Sequence, residues 1–138
     1  MKNYEIIEHT ADIGIRVRAK SLNFIFINLA RAMFDIIAQK QNRRLIAQKK
    51  IKIKVSAETR EELLVNWLND ILSLSCAKQL VFHDFKIDQL SDSGITSTAL
   101  GSSMKNYKVN TEIKAATYHQ LKIERVKSGW KAEVIFDV

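Results

Sequence analysis

The chain has 138 residues, 46% hydrophobic and 27% charged, which suits one globular domain over 1–138 and excludes a disordered chain. No run approaches the roughly 18–20 apolar residues of a membrane span, and a single cysteine excludes an internal disulfide. The 22 Lys and Arg outnumber the 15 Asp and Glu, and the resulting net charge of +7 favours phosphate-rich partners about as much as plain solubility.

The first residues reach acidic Glu5 and Glu8 without the apolar stretch of a signal peptide, so a cytoplasmic protein is expected. Strands are predicted over 3–8 and 13–19. In the second, Ile13, Ile15 and Val17 alternate with Gly14, Arg16 and Arg18, the period of a half-buried strand. Ser21 is placed to cap a helix running to about Ala38, with Leu22, Phe26, Leu29, Ala30, Met33, Phe34 and Ile37 on its apolar face. A basic run follows: Arg43, Arg44, Lys49, Lys50, Lys52 and Lys54. Within it, 50–56 reads as a strand with lysines outward and Ile51, Ile53 and Val55 inward. No aromatic residue interrupts the run, so it is not a stacking platform for single-stranded RNA. Its lysines read as a solvated edge first and a phosphate-contacting surface second.

A second helix is predicted over 59–78. Thr59 and Glu62 fit a capping box, and Leu63, Leu64, Trp67, Leu68, Ile71, Leu72 and Ser75 or Cys76 form the buried stripe. Cys76, on that stripe and without a nearby His, reads as core rather than nucleophile. Strands are predicted at 80–88, 94–101, 107–116, 119–127 and 130–136, with Ser128-Gly129 as a hairpin turn. The order β-β-α-β-α-β-β-β-β-β, with tight turns between strands, predicts an α+β fold, mostly antiparallel, with two main helices.

Nucleotide loops, HExxH, paired CxxC and GxSxG motifs are all missing, and three histidines with one cysteine make a structural zinc site implausible. A hard-cation site is the chemistry left. Asp12 sits in a turn between two predicted strands, flanked by small Ala11 and Gly14, and Asp137-Val138 follows an apolar strand at the far end. Carboxylates and carbonyls suit Ca²⁺ and Mg²⁺, although acidic residues at strand ends are ordinarily turn formers. His9 either bonds its own turn or orients Asp12. Lys114 is an exposed strand lysine or a phosphate or partner contact, and Thr117, Tyr118 and His119 form a polar cluster at a turn.

These residues carry a resemblance. His9-Thr10-Ala11-Asp12-Ile13-Gly14-Ile15, Ser21-Leu22 with Phe26 and Ala30, Glu62-Leu63-Leu64 with Trp67-Leu68, the run from Ile113 to Leu121, and Asp137-Val138 occur in the order seen in archeases. The chain resembles that family over essentially its full length, and the HTADxG and KAxTYH runs together are specific. The resemblance implies a non-enzymatic activator of the RtcB-type RNA ligase, promoting ligase guanylylation and multiple turnover in tRNA splicing or RNA repair. It implies a metal site at Asp12, Asp137 and Val138, with Ca²⁺ the first choice and Mg²⁺ or Mn²⁺ the alternatives. It also singles out Lys114, with His9 and His119 as further candidates. Segments 39–50 and 101–112 match no family motif. An RNA- or tRNA-binding modulator of another enzyme, such as a tRNA methyltransferase, is the alternative. An independent metal-dependent hydrolase lacks an evident general base.

Overall fold

Helix α1 (Leu22–Ile37) is apolar nearly all round, and such a helix must be covered on more than one side. In the computed structural model, which describes residues 3–8, 12–41 and 48–138, it packs against strands of two different sheets. Ile25, Ile27 and Ala32 are buried together with Phe26, Leu29, Ala30, Met33 and Phe34 of the predicted stripe, while Leu22 and Ile37 at its ends are partly buried, because a second sheet closes over the face that periodicity leaves to water. Ser21 caps the helix as expected, its Oγ accepting from the Phe24 amide at 3.3 Å.

The first sheet joins β1 (Tyr4–Glu8), β2 (Asp12–Ala19) and β10 (Gly129–Asp137), in that order. The other side of β10 is shared by β8 (Ala115–Ala116) and β9 (Lys122–Val126). The second sheet runs in the order β4 (Lys49–Ser56), β6 (Gly94–Ser103), β5 (Leu80–Leu90). A small ribbon pairs β3 (Ala38–Lys40) with β7 (Tyr107–Val109). Every pairing is antiparallel, as expected for the α+β class.

Helix α2 (Arg60–Lys78) lies against β4 and β8. Thr59 Oγ1 accepts from the Glu62 amide at 3.1 Å, one half of the expected capping box. Trp67 is fully buried on its inner face, with its ring centroid 5.7 Å from that of Phe26 on α1 and 5.9 Å from that of Phe85 on β5. Its Nε1–H donates to Ser97 Oγ at 2.9 Å, so the one polar atom of the ring is satisfied inside the core.

Three expectations need correcting. Residues 107–116 are not one strand: β7 leaves to pair with β3, and only Ala115 and Ala116 return to β10. The strand predicted over 119–127 starts at Lys122, since Gln120 adopts a left-handed conformation (φ 52°) that ends the preceding turn. Cys76 is exposed, and Ser75 takes the buried position, its Oγ donating to the Leu80 carbonyl. Arg43 and Arg44 lie outside the described residues.

Candidate metal site and its neighbouring strand

Strand β2 begins at Asp12 and β10 ends at Asp137, and their antiparallel pairing brings that beginning and that end together. The register sets Asp12 opposite Asp137 and Ile13 opposite Phe136. Phe136 is fully buried and Ile13 packs on the same core, so a one-residue slip would turn a Phe into water. The hydrophobic pattern therefore fixes the acidic pair. Directly opposed residues project to the same face, with Cβ atoms about 5 Å apart.

Further along that face, several acidic and basic side chains pair with one another. Arg16 donates to Glu133 Oε2 from Nε at 3.2 Å and from an Nη at 3.1 Å, and also reaches Glu5 at 3.6 Å. Lys131 pairs with Glu124 at 3.0 Å. The Gly14–Ile135 row separates these pairs from Asp12 and Asp137. Neither Asp12 nor Asp137 forms an ion pair with a Lys, Arg or His among the described residues. Like charges opposed across strands destabilise one another, so a bare carboxylate pair suits a hard cation. Among the described residues, no group of three or more His, Cys, Asp and Glu forms a metal cluster. Two carboxylates are too few for the six to eight oxygens around Ca²⁺, and Val138, main-chain carbonyls and water would have to complete the set.

The other expected residues lie around this end of the sheet. The Lys114 amide donates to the Asp137 carbonyl at 2.8 Å, and Ala115 is register-paired with Asp137. The Lys114 side chain is exposed and joins neither carboxylate. Thr117 donates to the Ile135 carbonyl from both its amide and its Oγ1, each at 2.9 Å. His119 is exposed on the following turn, where its amide donates to Thr117 Oγ1 at 3.3 Å. Its ring is not brought to the carboxylates by any hydrogen bond or ion pair among the described residues. His9 lies outside the described residues.

Two asparagines of α2 complete the arrangement. Asn69 grips the backbone of Ala116 at both ends: its Nδ2 donates to the Ala116 carbonyl at 3.1 Å, and its Oδ1 accepts from the Ala116 amide at 2.7 Å. It thus stands in for a neighbouring strand on the side of β8 that faces away from β10. Asn66, one turn earlier, accepts from the Tyr118 hydroxyl at 2.9 Å. Sequence reasoning passed over both residues. Their signal was two poor helix formers three apart, flanking a buried Trp, where polar side chains need partners.

A separate cleft of about 330 Å³ opens beside α1, lined by Arg31, Asp35, Lys40, His83, Ser102 and Tyr107 among others. Arg31 and Asp84 pair at its rim, and Ser102 and Tyr107 share a hydrogen bond of 3.1 Å. Burial pushes the His83 imidazole below its ordinary pKa and Lys40 adds to that, while Asp84 opposes both. None of the expected site residues among those described lines this cleft.

Comparison with known proteins places this geometry in context. A family model described as the Archease protein family (MTH1598/TM1083) matches residues 4–138. The chain is 36% identical to the protein archease of Methanosarcina barkeri, over 99% of this chain and 97% of that one. It is 38% identical to that of Pyrococcus furiosus, over the full length of both. The solution structure of Methanobacterium thermoautotrophicum protein 1598 superposes with a TM-score of 0.75 at 29% identity, covering all of both chains. The crystal structure of a Thermotoga maritima archease, described as a possible chaperone, gives 0.64 at 25% identity over 96% of this chain and 94% of that one.

Proposed function

Because the chain belongs to the archease family, we propose that it is a non-enzymatic accessory protein that activates an RtcB-type RNA ligase. In this reading it promotes ligase guanylylation and repeated turnover in tRNA splicing or RNA repair. A divalent cation, Ca²⁺ first with Mg²⁺ or Mn²⁺ as alternatives, is held by Asp12, Asp137 and Val138. Such an ion would neutralise the paired carboxylates and leave an incompletely coordinated, Lewis-acidic centre at the margin of the sheet. Lys114 and His119, exposed on the adjoining segment, are the residues offered to the ligase, and His9 precedes the same corner in sequence.

The observation that carries this reading is the register match of Asp12 with Asp137, uncompensated by any basic side chain among the described residues. The description of the Thermotoga relative as a possible chaperone agrees with an accessory role rather than a catalytic one. The test is guanylylation of the ligase with and without this protein, in EDTA and in excess divalent cation. Asp12→Ala should fold normally yet lose the stimulation. Full stimulation by a folded Asp12→Ala protein would overturn the assignment.

A further inference from the structure

We propose that the outer face of the β4–β6–β5 sheet is a second functional surface, one that binds the phosphodiester backbone of single-stranded RNA without reading its sequence. Alternation along β4 buries Ile53 and leaves Lys50, Lys52 and Lys54 exposed on one face. Successive lysines on that face are about 6.8 Å apart, close to the phosphate-to-phosphate step of an extended nucleic-acid strand. The register extends the face across the sheet. Lys52, Thr98 and Lys86 form one row, and Lys54, Thr96 and Gln89 the next. Two shallow depressions of about 360 Å³ and 460 Å³ lie along these rows, the first lined by Lys50, Lys52 and Lys86, the second by Lys54 and Thr96.

Only part of the charge on this face is consumed internally. Asp88 takes Lys52 at 3.2 Å and Thr98 at 3.2 Å, and Asp84 is engaged by Arg31. Lys50, Lys54 and Lys86 form no ion pair among the described residues. Lysines and threonine hydroxyls are donors suited to phosphate. The face offers no exposed aromatic ring, which removes base stacking and leaves a salt-dependent, sequence-independent mode. An acidic protein is the weaker fit, because lysine is depleted at protein interfaces and this face offers no Trp, Tyr or Arg anchor.

The test is fluorescence anisotropy of the full chain with a labelled oligouridine of about 12 nucleotides at about 50 mM salt. Binding should weaken with salt along a log–log slope of about −3, for about four phosphate contacts. The combined Lys50→Ala, Lys54→Ala and Lys86→Ala variant should bind about 100-fold more weakly at about 0.1 M salt, with the slope reduced by about 2. A variant with the same charge loss elsewhere, Lys20→Ala, Lys122→Ala and Lys127→Ala, should lose only a few-fold. Asp88→Asn, which releases Lys52, should bind more tightly. Circular dichroism confirms that each variant is folded. Equal weakening by the two triple variants, absence of binding, or equal competition by polyglutamate of the same charge would each overturn the proposal, the last in favour of an acidic protein partner.

Discussion

Asp12 and Asp137, drawn from opposite ends of the chain, face each other across β2 and β10 with no basic side chain among the described residues to neutralise them. The pair should therefore behave oppositely with and without metal. In EDTA, Asp12→Asn should raise stability by about 0.2–1 kcal/mol, because it removes a like-charge opposition. A saturating divalent cation, at about 100 times its dissociation constant, should stabilise the natural protein by about 2.7 kcal/mol and the variant far less. Urea unfolding under both conditions measures this, and equal cation effects on the two proteins would count against a metal site.

Asn69 should matter out of proportion to its size. Asn69→Ala leaves the Ala116 amide and carbonyl without their partner, and should cost about 1–3 kcal/mol. If the proposed function holds, it should also lower ligase stimulation by loosening the strand that follows Lys114. Asn66→Ala, which frees only the exposed Tyr118 hydroxyl, should cost less than about 1 kcal/mol. Chemical denaturation ranks the two variants, and an order reversed from this one would discount the clamp.

Ser97 is a fully buried hydroxyl that accepts from Trp67 and donates to the Ile53 carbonyl at 3.3 Å. Ser97→Ala strands the indole N–H in the core and should destabilise by about 1–3 kcal/mol. Ser97→Thr keeps the hydroxyl, and should keep the bond if the added methyl fits. Thermal melts of the two distinguish a lost hydrogen bond from general sensitivity of the site.

His83 predicts a pH dependence. Its folded-state pKa lies below the ordinary value of 6.5, so the unfolded chain takes up a proton first. Stability is then fully present above about pH 6.5 and is lost as pH falls through the lowered folded value. His83→Gln should flatten that part of the stability curve. The measurement is denaturant unfolding at stepped pH, and an unchanged slope in the variant would exclude His83 as the source.

Gly129 opens β10 at φ +148°, and a Cβ there would stand 2.4 Å from the Ala19 carbonyl oxygen. Gly129→Ala should cost about 1–3 kcal/mol, read from the denaturation midpoint.

The strands and helices were legible where burial has one period. Ile13, Ile15 and Val17, or Ile51, Ile53 and Val55, repeat every second residue beneath one core. The stretch from 107 to 116 misled because an alternating run does not name its partner: Tyr107–Val109 answers to β3, and Ala115–Ala116 to β10. Strand β3 itself is three residues long and has no periodic signal of its own. At the candidate site, Asp12, Lys114 and Asp137 stood out by residue type and family pattern, and pairing brought them to one sheet margin. Asn69 did not stand out, since its role is to hold backbone, and a backbone contact leaves little trace in side-chain pattern.

Strand β4 borders its sheet, with no further strand beside it among the described residues. An open margin of unpaired amides and carbonyls invites another strand, and with it fibrillar growth. Lysine at every second position from Lys50 to Lys54 answers that hazard, because a second copy laid alongside would stack ammonium against ammonium. The charges that offer this face to a polyanion thus also keep the sheet closed to its own kind, and a strong polyanion that cancels them should make this margin the first place where molecules coalesce.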